Sequence, residues 1–206
     1  MIRNIIFDLG NVLFFLDFTK TYEILKKYLR PQYTPEYALN NIIRGKVFED
    51  FNKGLISKKE YFNHCKGFFL KEIDEKTFWK HYSDIFIPNK ELLSLLPKLK
   101  KDYNLYILSN TDEVHIDFLE NHYRQYFNLF NGKIYSFKTG YMKPDRKIYE
   151  YLLNSYNIKP EESLFIDDIE KNLLPAKLLN IKTFLYNKKR GKELAKILLC
   201  QEKIEL

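Results

Sequence analysis

Four short segments bring together residue types that do phosphoryl chemistry. Asp8 ends the run NIIFD, Ser109 and Asn110 end NLYILSN, Lys143 stands in GYMKPDRKIY, and Asp167 and Asp168 end SLFIDD. Three carboxylates at one place repel each other and raise each other's pKa unless a cation sits between them. Oxygen-only ligands suit Mg²⁺, which completes its shell with water and substrate phosphate. Lys143 and Ser109 add the donors that a phosphate group needs. A metal with a lysine is general equipment for phosphoryl transfer, and a carboxylate can be the covalent acceptor. The sequence carries no GxxxxGK[ST] loop, so the pattern is not that of a nucleotide cradle.

Something must carry these segments to one rim. Asn4–Asp8, Asn104–Leu108, Lys133–Ser136, Ser163–Ile166 and Ile181–Leu185 read as short buried strands. Between them run helical stripes, such as Leu92, Leu95, Leu96 and Leu99, and then Ile148, Leu152 and Tyr156. Strands alternating with helices predict a parallel sheet, which places ligands at the carboxyl ends of its strands. The chain from about Phe18 to Phe86 is different and reads as helical throughout. It holds a capping signature at Ser57 and Glu60 and a stripe of Phe78, Trp79, Tyr82, Ile85 and Phe86 behind a capping Asp74. The expected fold is α/β: a Rossmann-like parallel-sheet core with an inserted α-helical domain. Half of the aromatic residues fall between Phe14 and Phe86, about a third of the chain, as a small helical module packing its own core requires.

Composition narrows the function classes. The 206 residues are 45% hydrophobic and 30% charged, which excludes a disordered chain. The longest apolar run, Val12–Leu16, is far short of a membrane span, and Asp8 interrupts any signal-like segment, so no membrane partner and a cytoplasmic location are expected. The net charge of +7 is concentrated after Glu170, in a tail without aromatic or zinc-finger signatures, so no nucleic-acid partner is expected. Cys65 and Cys200 allow one disulfide at most and have no metal-ligand spacing.

With FDLGNVL, LSNT, KP and FIDDIEKN in this order, the chain resembles the haloacid dehalogenase-like hydrolases, a superfamily of aspartate-nucleophile phosphatases. The resemblance covers the whole chain and implies a core of residues 1–16 and 87–206 with a helical cap of residues 17–86. It further implies that Asp8 attacks phosphorus and becomes an aspartyl phosphate. Mg²⁺ would be held by Asp8, the carbonyl of Gly10 and Asp168, with Asp167 supporting it from behind. Ser109 and Asn110 would bind the phosphoryl group, Lys143 would neutralise Asp8 and a phosphate oxygen, and Asn172 would anchor the acidic loop. The partner would be a small phosphorylated metabolite, and the protein a monomer or homodimer. Close rivals are a haloacid dehalogenase, which needs no metal, and a non-catalytic binding protein of the same fold.

The chain departs from that pattern in one place. Most phosphatases of the superfamily carry a second Asp two residues after the nucleophile, as acid for the leaving group; here the position is Gly10. FDLGNV followed by LSNT is similar to a helical-cap subgroup that includes α-glucose-1-phosphate phosphatases and works with Gly there. Because general-acid help is worth about 10²–10⁴-fold, its absence favours a leaving oxygen that tolerates negative charge, such as that of a sugar 1-phosphate. His115, four residues after Thr111, is a candidate to line the substrate pocket and replace the acid, and Asp17 is another. His64 and His81, among aromatic residues, are expected to pack in the core of the insert.

Overall fold

The computed structural model describes residues 1–69 and 73–199. Strand β1 (Asn4–Phe7) is buried at every position, as a central parallel strand must be. The chain next forms β2 (Phe14–Leu16) and then five helices: α1 (Thr19–Tyr28), α2 (Pro35–Ile43), α3 (Lys46–Asn52), α4 (Lys58–Lys66) and α5 (Glu75–Ser83). It returns through β3 (Phe86–Pro88) to α6 (Lys90–Asp102) and β4 (Asn104–Ser109). Then come α7 (Glu113–His122), the one-turn α8 (Arg124–Phe127), β5 (Gly132–Tyr135) and the one-turn α9 (Ser136–Thr139). Finally α10 (Arg146–Tyr156), β6 (Ser163–Asp167), α11 (Glu170–Leu178), β7 (Lys182–Leu185) and α12 (Gly191–Leu199) complete the fold.

Among the described residues the main sheet has five parallel strands in the order β5-β4-β1-β6-β7. The chain builds outward from β1 to β4 and β5 on one side, then crosses to β6 and β7 on the other. The order therefore reverses beside β1, and the crevice at such a switch point is where open α/β sheets bind ligands. Asp8 follows β1 and Asp167 ends β6, so both carboxylates flank that crevice.

Each face of the sheet has its own core. Ile5, Phe7, Leu105 and Ile107 pack under α6 and α12, while Ile6, Tyr106 and Phe165 pack under α10 and α11. The expected stripe in α6 is seen, with Leu92, Leu96 and Leu99 buried and Leu95 half-buried. The insert packs a third cluster around Phe51, Tyr61, Phe62, Phe78, Trp79 and Tyr82. Ser57 and Glu60 form the reciprocal cap of α4, and Asp74 caps α5 by accepting the Thr77 N–H at 2.8 Å.

Two expectations change. The span 18–86 is not helical to its end: α5 stops at Ser83, and Phe86 opens β3, which pairs antiparallel with β2 from Phe14↔Pro88 to Leu16↔Phe86. Three-residue strands inside a continuous apolar run show no alternation, which is why the sequence hides them. His64 is exposed, with only an edge contact to Phe68, instead of lying in the insert's core. Cys65 is buried and free, and Cys200 lies outside the described residues. Among the described residues no helix is long and apolar enough to cross a membrane.

The insert also meets the sheet domain away from β2 and β3. α5 packs on α7, and the turn after α3 meets α9. Gly54 in that turn has φ +66°, and a Cβ there would lie 2.2 Å from the Phe137 carbonyl oxygen. The two backbones approach so closely that only glycine fits.

Candidate active site

Asp8 sits just past the end of β1, where the parallel ladder leaves its side chain at the crevice. Its Oδ1 accepts the Leu9 N–H at 2.7 Å and the Lys143 ammonium at 2.9 Å. Both donors converge on one oxygen, so Oδ2 takes no hydrogen bond from the described residues. Lys143 also donates to Asp167 Oδ2 at 2.6 Å and is almost wholly buried between the two carboxylates. Burial opposes its charge, yet Asp8 and Asp167 hold the ammonium above its ordinary pKa. Burial pushes the Asp8 carboxyl up to about 7, and repulsion from Asp167 and Asp168 adds to this against the pull of Lys143.

The backbone around Lys143 is clamped by Asn110. The Asn110 amide donates to the Lys143 carbonyl at 2.8 Å and accepts the Lys143 N–H at 2.7 Å. The structure thus commits the Asn110 side chain to holding the lysine loop. Ser109, the last residue of β4, is buried beside the cavity described below.

Asp167 is saturated. Besides Lys143, it accepts the Ile169 N–H at 2.8 Å and the Asn172 amide at 3.0 and 3.2 Å. Asn172 is held in turn by Tyr149, whose hydroxyl donates to its backbone carbonyl at 2.6 Å. Its own Oδ1 is buried and has no partner. Asp168 differs from its neighbour: its Oδ2 accepts from the Asn11 amide at 3.1 Å, and burial raises its pKa.

Carboxylate oxygens of Asp8, Asp167 and Asp168 lie within 4.8 Å of one another. Only Lys143 among the described residues bridges them, so the cluster carries excess negative charge and suits a hard divalent cation. Since the hydrogen bonds of Asp167 are already taken, Asp8 and Asp168, with the nearby Gly10 carbonyl, are the residues that could hold it. Asn11 was not singled out from the sequence. Its φ of +53°, a conformation Asn tolerates, lets one side chain reach Asp168 while its Oδ1 accepts the Leu16 N–H at 3.4 Å.

Beside these residues opens a cavity of about 510 Å³ between the sheet and the insert. Gly10, Asn11, Ser109 and Thr111 line one end, and Arg44, Phe48 and Asn52 reach it from the insert. His115 also lines it, but both ring nitrogens are engaged. Nδ1 lies 2.8 Å from Asp112 Oδ2, and Nε2 lies 3.0 Å from the Tyr82 carbonyl oxygen. The Tyr82 ring stacks on the imidazole at 4.4 Å, and its hydroxyl donates to the same Asp112 oxygen at 2.8 Å. Burial opposes the Asp112 charge, but His115 and these hydrogen bonds hold the carboxyl below its usual range. Asp17 does not line the cavity; it accepts the Thr19 N–H at 2.9 Å at the start of α1.

This arrangement meets its counterparts in known proteins. The family model described as haloacid dehalogenase-like hydrolase matches residues 2–180. The chain belongs to the haloacid dehalogenase-like hydrolases. A D-ribitol-5-phosphate phosphatase of Bacteroides thetaiotaomicron is 26% identical to this hydrolase, over 89% of the chain and 91% of the relative. A sesquiterpene phosphatase of Aspergillus oryzae is also 26% identical, over 85% of each. Among solved structures, a family enzyme from Bacteroides thetaiotaomicron in complex with magnesium and inorganic phosphate superposes with a TM-score of 0.78. That structure is 28% identical and covers 89% of this hydrolase and 93% of its own chain.

Proposed function

We propose that this hydrolase is a Mg²⁺-dependent phosphatase of small phosphorylated metabolites, working through an aspartyl phosphate on Asp8. The observation that carries this reading is the placement of Lys143 on Asp8 Oδ1, which leaves Oδ2 as the attacking oxygen. Named relatives that are phosphatases, and one structure holding magnesium and phosphate, support the same reading.

Asp8 Oδ2 forms a bond to phosphorus as the bond to the leaving oxygen breaks. A water then displaces the phosphoryl group and returns the carboxylate. Lys143 holds Asp8 in its attacking pose and balances charge, and Ser109 donates to a phosphoryl oxygen. Asp8, the Gly10 carbonyl and Asp168 would hold the metal, which when bound would offset carboxylate repulsion and draw charge from the phosphate oxygens. Helices α1–α5 act as a cap that excludes water from this step.

Leaving-group choice follows from the lining. Among the described residues no Asp or Glu lines the cavity, and the His115 nitrogens are engaged, so none of them stands ready as an acid for the departing oxygen. Esters whose oxygen leaves as a stabilised anion, sugar 1-phosphates among them, are the preferred class. A Mg²⁺-dependent panel should show glucose 1-phosphate turned over faster than glucose 6-phosphate, and the reverse order would refute that preference. At Gly10 an added Cβ meets only Leu16 Cδ1 at 3.7 Å, so Gly10→Asp is sterically allowed. It should raise turnover of alkyl phosphates relative to aryl phosphates. Asp8→Asn should abolish turnover, and activity insensitive to EDTA would point to dehalogenase chemistry instead.

A further inference from the structure

We propose that Arg44 recognises a second anionic group at the far end of the substrate's leaving group; the inference rests on the phosphatase reading above. The cavity has an uneven chemistry. Much of its lining is apolar, with Leu16, Phe18, Ile43, Phe48, Ile85 and Phe86. Three of the polar side chains at the sheet end are already engaged: Asn11 by Asp168 and Leu16, Asn110 by Lys143, His115 by Asp112 and Tyr82. On the insert side, the Asn52 amide donates to the Phe48 carbonyl at 2.9 Å.

Arg44 stands apart from all of these. Among the described residues it is the one Lys or Arg lining the cavity, no carboxylate lines the cavity with it, and it has no hydrogen-bond, ion-pair or ring partner. Its place is set by the backbone. It follows the last residue of α2 in an extended conformation, and Gly45, at φ +85°, then turns the chain into α3. Ile43 and Phe48 on either side of this junction face the same cavity.

The phosphoryl end does not need this guanidinium, since Lys143 and the metal site already supply positive charge there. Around Arg44 most of the cavity lining is apolar. The substrate class that matches is a phosphate monoester whose leaving group has an apolar or ring-like middle and carries a carboxylate or second phosphate beyond it. A guanidinium takes such groups through paired N–H donors.

The test uses the whole protein with Mg²⁺ and two matched esters, 4-carboxyphenyl phosphate and its neutral isostere 4-carbamoylphenyl phosphate. The readout is the ratio of their kcat/KM values. The wild-type protein should favour the carboxylate by about tenfold, the value of one charge-assisted contact at a partly exposed site. Arg44→Met keeps the apolar stem and should bring the ratio close to one, while Arg44→Lys should fall between. A wild-type ratio near one, or an Arg44→Met ratio equal to the wild-type one, overturns the inference. Loss of both esters in proportion upon Arg44→Met also overturns it, because the guanidinium then acts on the transferred phosphate. If neither ester is hydrolysed, or Asp8→Asn hydrolyses both, the phosphatase reading fails and the inference falls with it.

Discussion

The floor and the wall of the cavity are built on opposite plans. On the floor the central charged groups are fixed by several partners: Lys143 by two carboxylates, with its backbone held by Asn110, and Asp167 by a lysine, an amide and a backbone N–H. On the wall, apolar side chains from the insert adjoin an arginine with no partner among the described residues. Positions that do the same chemistry on every substrate need preorganised geometry, which costs no reorganisation at the moment of reaction. Positions that discriminate between substrates need only shape and charge.

The contrast can be broken by substitution, and the floor should suffer most. Asp8→Asn should lower Mg²⁺-dependent turnover by at least about 10³-fold in steady-state assays, as removal of a nucleophile does. Lys143→Met leaves two buried carboxylates without their cation. It should cost about 3–5 kcal/mol in chemical denaturation at neutral pH, the usual penalty for breaking a buried pair. A loss under 1 kcal/mol would show that the lysine is not the keystone of the floor.

Asn11→Gly keeps the backbone conformation but frees Asp168. Calorimetric titration should show Mg²⁺ affinity falling about 10–100-fold, the range for partners that orient metal ligands. Unchanged affinity would mean that Asp168 orients itself.

Protonation sharpens the same contrast. The Asp8 pKa is raised in the folded protein from 3.8 to about 7, so folding binds a proton more tightly there than the unfolded chain does. Its stabilising contribution is complete below about pH 4 and lost as pH rises through about 7. Thermal melting of the metal-free protein should show this loss, Asp8→Asn should remove that part of the slope, and saturating Mg²⁺ should offset it. Identical slopes in the two proteins would refute it. At the small end, Arg44→Met should change stability by no more than about 0.5 kcal/mol, as expected of an exposed side chain without partners.

The floor was far more legible than the wall. Asp8, Ser109, Lys143 and Asp167–Asp168 stand at strand ends or in one loop between helices, and the order of strands delivers them to a single crevice. Gly10, too, lies where the sequence placed it, next to Asp8. What stayed hidden depends on directions that no local pattern encodes. Asn11 matters because its left-handed backbone aims an amide across to a residue far along the chain. His115 reads as a candidate acid in the pocket, yet its ring is held by Asp112, which a cap-like position disguises, and by a carbonyl from another helix. Tyr149 secures Asn172 from a helix whose stripe shows only packing. Arg44 carries no local signal, because the cavity it faces forms only when the insert folds over the sheet.

The contact between Gly54 and the Phe137 carbonyl carries a last implication. It sets the spacing between α3 and the sheet domain by backbone atoms alone, independently of the side chains that line the space between them. A lineage can therefore exchange residues such as Phe48 or Arg44 and acquire a new substrate while the frame keeps its dimensions. A side chain at Gly54 would force the frame itself to move. Innovation in this protein is cheap at the wall and barred at its glycine spacer.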